Sequence, residues 1–153
     1  MRYLGNKTKL LDFIEKVIRK YNIQGNIFAD LFAGTASVAD YFKDRYQIIA
    51  NDYMGYSAII AKAKLLNCDI PEFERFKDEF GCSPFEWLNN KKYVPNKDYF
   101  IYNNYTPVGN RMYFQEENAI KIDGIRIDIE ELYKNGVLNE AEYSFLIASL
   151  LES

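Results

Sequence analysis

The sequence predicts an α/β fold with a mostly parallel sheet, on three observations. Two short apolar runs, at 27–32 and 47–51, are each followed by a small or acidic residue, and amphipathic stretches alternate with them. The chain has 153 residues, 48 % of them hydrophobic, enough for one sizeable core. No apolar run approaches the eighteen or more residues of a membrane span, so a soluble, cytoplasmic protein with no membrane partner is expected.

The elements follow in order. Leu10, Phe13, Ile14, Val17, Ile18 and Tyr21 recur at spacings of three and four, the stripe of a first helix ending near Asn22, with Gly25 and Asn26 beyond it. Ile27 to Phe32 is an apolar run stopped by Gly34, the pattern of a strand buried on both faces. A turn at Gly34-Thr35-Ala36-Ser37 leads into a helix carrying Val38, Ala39, Tyr41 and Phe42. A second strand runs from Gln47 to Asn51 and ends at Asp52, and Tyr56 to Leu66 forms the next helix. In such a sheet the ligand site lies outside the carboxyl ends of the strands, where Gly34 and Asp52 sit.

From Ile70 to about Phe114 the periodicity fades amid four prolines and many Tyr, Phe and Asn, the composition of an inserted lobe. Helical stripes return over Gln115–Tyr133, stopped by Asn135-Gly136, and from about Glu140 to Leu151. Three segments result: an α/β portion at 1–69, a lobe at 70–114 and a helical segment at 115–153.

Composition excludes several chemistries. With no His, there is no imidazole base, no Ser-His or Cys-His pair and no imidazole zinc site, and no metal site is expected. Cys68 and Cys82 form no C-x-x-C pair, which fits reduced thiols. The net charge of −3 is uneven: +4 over 1–25, −2 over 26–110 and −5 over 111–153. A basic opening suits an anionic ligand.

Three groups of residues point to a nucleotide-like ligand. Asp30-Leu31-Phe32-Ala33-Gly34-Thr35-Ala36 places small residues between a strand and a helix, where backbone amides can approach a ligand. Asp52, eighteen positions after Gly34, can accept hydrogen bonds from both hydroxyls of a ribose. The opening Tyr3, Gly5 and Lys7 offers an aromatic face and an ammonium that can meet a carboxylate. Read as G-x-G-x-x-G the turn supplies only Gly34, with Ala36 and Ala39 in the other places, which disfavours a nicotinamide-dinucleotide-binding domain. In the lobe, Asn104, Tyr105 and Arg111, with Tyr99, Tyr102, Asn103 and Tyr113, are candidates to approach nucleic acid, and Lys91, Lys92 and Lys97 to meet phosphates. A non-catalytic nucleic-acid-binding module therefore stays open as an alternative.

Taken in order, these pieces resemble the Dam-like class of DNA adenine methyltransferases, in particular the methylases of type II restriction-modification systems. That family opens with aromatic-x-G-x-K, here Tyr3, Gly5 and Lys7. Its D-x-F-x-G-x-G-x-V loop around S-adenosylmethionine is matched by Asp30, Phe32, Gly34, Ala36 and Val38, with Thr35 between, and its ribose-binding acid by Asp52. Asn104-Tyr105-Thr106-Pro107, Arg111-Met112-Tyr113-Phe114 and Ile122-Asp123-Gly124-Ile125-Arg126 match three further family segments. The resemblance implies a Rossmann-like methyltransferase fold, present in part, with S-adenosylmethionine as cofactor. It also implies double-stranded DNA as the whole enzyme's substrate and a cognate restriction endonuclease as a partner in function only. Two departures stand out: Ala36 replaces the loop's second glycine, and the family's catalytic Asp-Pro-Pro-Tyr segment is absent. That segment is expected beyond Ser153, so the chain reads as the N-terminal part of a longer enzyme, with no catalytic residue of its own and inactive alone. An apolar docking face for the missing half is expected around Leu146, Leu150 and Leu151.

Overall fold

The computed structural model describes residues 7–153; Tyr3 and Gly5 lie outside them. The chain divides into two compact units, one running to Pro71 and taking in Leu151–Ser153, the other Glu72–Leu150.

In the first unit a 3₁₀ turn at Thr8–Leu10 leads into α1 (Leu11–Lys20), followed by β1 (Ile27–Asp30), α2 (Ser37–Phe42), β2 (Gln47–Ala50) and α3 (Gly55–Leu65). The strands pair in parallel, Ile27 with Gln47 through Asp30 with Ala50. A helix between two adjacent parallel strands is the connection this geometry demands. The described residues thus hold a two-stranded parallel sheet with helices.

The strand at 27–32 departs from expectation. It is not buried on both faces. Phe28 and Asp30 point to the covered side, while Ile27 is 53 % exposed and Ala29 is exposed too. The same alternation runs through β2, where Ile48 and Ala50 are half-buried and Ile49 is exposed. Apolar side chains occupy both faces, but helices of this unit cover only one: Ala36, Ala39 and Ala61 form a small core on which Ile48, Ala50 and Leu65 pack. Phe42, 1 % exposed, stacks on Phe28 at 4.6 Å between ring centroids. The helix α1 buries no residue completely. It is tied to α2 instead by Glu15, which accepts from the Tyr41 hydroxyl and pairs with Arg45 and Arg19 at 2.6 Å each.

The second unit replaces an irregular lobe with helices. Between 70 and 114 lie α4 (Glu74–Phe80), α5 (Pro84–Asn90) and α6 (Phe100–Tyr105), then a 3₁₀ turn at Pro107–Gly109. Six or seven residues show too little of an apolar stripe to be read by period. Two of the prolines start helical turns rather than breaking them. Pro84 follows Ser83, whose hydroxyl accepts from the Glu86 amide at 3.1 Å, and Pro107 follows Thr106, which caps the next turn. The long helix α7 (Glu116–Lys134) stops at Asn135, with Gly136 left-handed at φ 72°. Then comes α8 (Glu140–Glu152), opened by a reciprocal cap: Asn139 Oδ1 accepts from the Glu142 amide at 3.0 Å, and Glu142 Oε2 from the Asn139 amide at 2.9 Å. The core gathers Phe73, Phe76, Leu88, Ile129, Leu138 and Leu146. Leu146, expected on a docking face, is thus buried, Leu150 is half-buried, and only Leu151 is exposed, at 44 %. The apolar side chains left open near the sheet are Ile27, Leu31, Phe32 and Ile49. No helix among the described residues is long and apolar enough to cross a membrane.

Two outcomes test this packing. Phe42→Ala removes a fully enclosed ring and is expected to cost about 3–5 kcal/mol in chemical denaturation. The Tyr41 hydroxyl and the two guanidinium groups lower the Glu15 carboxyl from 4.5 to about 2. Its contribution to stability is therefore complete above pH 4.5 and lost as pH falls toward 2, so the melting temperatures of wild type and Glu15→Gln converge across that window.

Candidate functional site

The carboxyl ends of β1 and β2 are stitched together past the last sheet pair. The Asn51 amide donates to the Asp30 carbonyl (2.8 Å), the Ala33 amide to the Asn51 carbonyl (2.9 Å), and Asn51 Nδ2 to the Leu31 carbonyl (3.0 Å). Asp52 then closes the set. Its Oδ2 accepts from the Gly34 amide at 2.8 Å and its Oδ1 from the Met54 amide at 3.0 Å. Those amides, Met54 first and Gly34 second, hold the Asp52 carboxyl below its ordinary range. The Ser57 hydroxyl and the Tyr53 amide also favour the charged form, so the carboxylate is charged at neutral pH. The bond to Met54 is also the turn that an Asp after a strand commonly makes. The same side chain serves turn and site.

The loop between β1 and α2 is bent by two left-handed residues, Gly34 (φ 52°) and Ala36 (φ 55°, ψ 22°). Glycine takes this conformation freely, whereas alanine pays about 1 kcal/mol, so the substitution at 36 brings backbone strain as well as a methyl. That methyl is wholly buried in the small core. Two lysines hold the loop's carbonyls: Lys7 Nζ donates to Phe32 O and Lys64 Nζ to Thr35 O, both at 2.8 Å. Lys7, expected to meet a carboxylate, is thus engaged with backbone. The Thr35 hydroxyl lies 3.0 Å from Ser37 Oγ. Asp30 is 9 % exposed, and its Oδ2 is buried without a hydrogen-bond partner at the end of β1. Phe32 is 79 % exposed and Tyr53, beside Asp52, 98 %.

The expected residues Lys7, Asp30, Phe32, Gly34, Thr35, Ala36 and Asp52 are therefore gathered in one loop cluster. Asn51, Tyr53 and Lys64 belong to it and were not singled out in the sequence. Position next to Asp52 marks the first two; nothing local marks Lys64, which reaches the loop from α3 across 29 residues.

The lobe residues divide. Lys91 is exposed but already partnered: its ammonium pairs with Asp128 at 2.8 Å and lies 4.6 Å from the Trp87 ring centroid. Lys92 and Lys97 are exposed. Tyr99 is buried, Tyr102 half-buried, and Asn103 spends its amide on the carbonyls of Asn96 and Lys97. Asn104 is exposed, with its amide on the Phe100 carbonyl at 2.8 Å. Arg111 lies over the Tyr105 ring at 5.3 Å, and Tyr105 meets Phe100 at 5.8 Å and Tyr113 at 5.9 Å. The result is a strip of rings, Phe100 and Tyr113 exposed and Tyr105 half-buried, with a cation on it.

A profile of the D12 class N6 adenine-specific DNA methyltransferases matches residues 3–153. The chain belongs to that family. Over its whole length it is 61 % identical to Modification methylase LlaI of Lactococcus lactis subsp. lactis and 38 % identical to Type II methyltransferase M.FokI of Planomicrobium okeanokoites. It spans 25 % and 24 % of those two proteins. Type II methyltransferase M.NlaIII of Neisseria lactamica is 34 % identical over 99 % of the chain, which spans 44 % of that relative. No solved structure matches significantly.

The cluster makes its own prediction. Asp52→Ala removes the acceptor of two amides, and hydrogen exchange at Gly34 and Met54 is expected to quicken severalfold while the amides of α2 keep their protection.

Proposed function

We propose that the first unit binds S-adenosylmethionine and the second contacts DNA, as parts of a type II adenine methylase. The observation that carries this is the Asp52 carboxylate, charged at neutral pH and joined to the Gly34 amide at the carboxyl ends of two parallel strands. This is the place where open α/β sheets take nucleotides.

The residues present fit the cofactor's chemistry. The Asp52 carboxylate is an anionic acceptor that suits a ribose hydroxyl, and the exposed Tyr53 ring next to it offers a face to adenine. The unpartnered oxygen of Asp30 suits a cationic donor such as an ammonium. With Lys7 and Lys64 on its carbonyls, the loop holds its bend without a ligand, so binding need not order it. When bound, the cofactor supplies an electrophilic methyl on sulfur for in-line displacement by an exocyclic amine. Orienting that methyl is this unit's task.

The strip of Tyr105, Arg111 and Tyr113 supports contact with nucleic acid, since Arg grips phosphate or guanine and exposed rings stack on bases. Lys92 and Lys97 add phosphate contacts. A matching restriction endonuclease is a partner through the shared DNA site only. A whole Rossmann-like sheet in the longer enzyme is part of the same proposal.

Calorimetric titration tests the first half. S-adenosylmethionine is expected to bind saturably, Asp52→Ala to weaken it at least about tenfold, and a nicotinamide dinucleotide to give no heat of binding. Dinucleotide binding, or S-adenosylmethionine binding untouched by Asp52→Ala, contradicts it. DNA binding that ignores S-adenosylmethionine, in a chain that does not take it up, favours the nucleic-acid-binding module.

A further inference from the structure

Within the second unit, α7 presents three polar or small positions to the segment that carries the ring strip. Asp123 is fully buried, and one of its carboxylate oxygens accepts from the Tyr102 amide at 2.9 Å while the other has no partner. Tyr102 is the third residue of α6, whose amide is normally satisfied by the helix's own N-cap side chain. Here the N-cap residue is Tyr99, with no side-chain cap bond. Asp123 therefore caps α6 from another helix, 21 residues along the chain.

Its neighbours act on the same segment. A Cβ on Gly124 would stand 2.2 Å from the Tyr93 ring, so the ring occupies space that only glycine leaves. One turn on, Asp128 accepts from the Tyr93 hydroxyl at 2.7 Å and pairs with Lys91. A buried carboxylate with an unused oxygen and a glycine inside a helix both weaken α7 itself. Both sit where α7 meets residues 93–102.

Tyr102 passes the constraint on. Its amide is on Asp123, and its carbonyl accepts from the buried Thr106 hydroxyl at 2.7 Å. The Thr106 carbonyl in turn accepts from the Gly109 and Arg111 amides at 3.0 Å each, and the Tyr105 carbonyl from Phe114 at 3.1 Å. Asp123 is thus linked, through the Tyr102 backbone, the Thr106 hydroxyl and the Thr106 carbonyl, to Arg111, whose guanidinium lies over the Tyr105 ring.

We propose that Asp123, with Gly124 beside it, is a positioning residue for the DNA-facing strip: without touching DNA, it fixes α6 so that Tyr105 and Arg111 stand in one geometry. This rests on the reading of that strip as a DNA contact.

The test is fluorescence anisotropy of a fluorescein-labelled, mixed-sequence duplex at low salt. Circular dichroism and the emission of Trp87, the one tryptophan of the chain, serve as controls for folding. Arg111→Ala is expected to weaken binding about fivefold and Asp123→Ala about tenfold, with Asp123→Asn, which keeps an acceptor for the Tyr102 amide, within about twofold of wild type. The double variant Asp123→Ala/Arg111→Ala is expected to bind no worse than Asp123→Ala alone, since both act through one geometry. Wild-type affinity in a folded Asp123→Ala, or additive losses in the double variant, overturns the proposal while the DNA reading stands. Should Asp123→Ala not fold, Gly124→Ala, which drives a methyl into Tyr93, takes its place with the same expected loss and non-additivity. A wild-type chain that does not bind the duplex removes the DNA reading and the proposal with it.

Discussion

The Asp52 carboxylate, shared between the Gly34 and Met54 amides, is the interaction on which the first unit's site depends. The parallel register brings Asp30 and Ala50 side by side, and from there the two chains would diverge, one into the α2 loop and the other into α3. Asn51 and Asp52 hold them together for four more residues, using backbone and side chain alternately. A charged acceptor on two amides is stronger than a neutral one, and it fixes the loop's bend before any ligand arrives.

That bend has a cost, and its placement is informative. Ala36 sits in a left-handed conformation with its methyl fully buried among Ala39 and Ala61, so packing and strain oppose each other at one residue. The carbonyls turned outward by the bend are met by Lys7 and Lys64, from opposite sides of the sequence. In the second unit the same division appears at Asp123 and Gly124. Both are poor choices for α7 alone and good ones for the segment packed on it. In each unit, local helix or loop preference yields to the placing of a surface that faces outward.

Much of this was legible in the sequence, for reasons that also mark the limits. The elements α1, β1, α2, β2, α3, α7 and α8 follow the apolar period and the Gly or Asn stops, because those signals are local. The helices α4 to α6 were not legible: they are too short to show a stripe, and Pro84 and Pro107 in the same stretch start turns instead of breaking them. Burial of β1 was overestimated because an apolar run records what a strand can bury, not what covers it. Gly34 and Asp52 were readable from spacing, whereas Lys64 and the pairing of Lys91 with Asp128 depend on tertiary approach that no short window contains. The Ile-Asp-Gly-Ile-Arg segment was visible as a family feature, yet its physical role needed the Tyr102 amide and the Tyr93 ring to be seen against it.

The most direct measurement is an amide chemical-shift map of the isotopically labelled chain titrated with S-adenosylhomocysteine, a ligand with the same ribose and adenine and no methyl to transfer. The account predicts that the Gly34, Asp52, Tyr53 and Met54 amides shift together in proportion to occupancy, with α7 unmoved. Shifts that leave Gly34 and Met54 in place and gather elsewhere would contradict it.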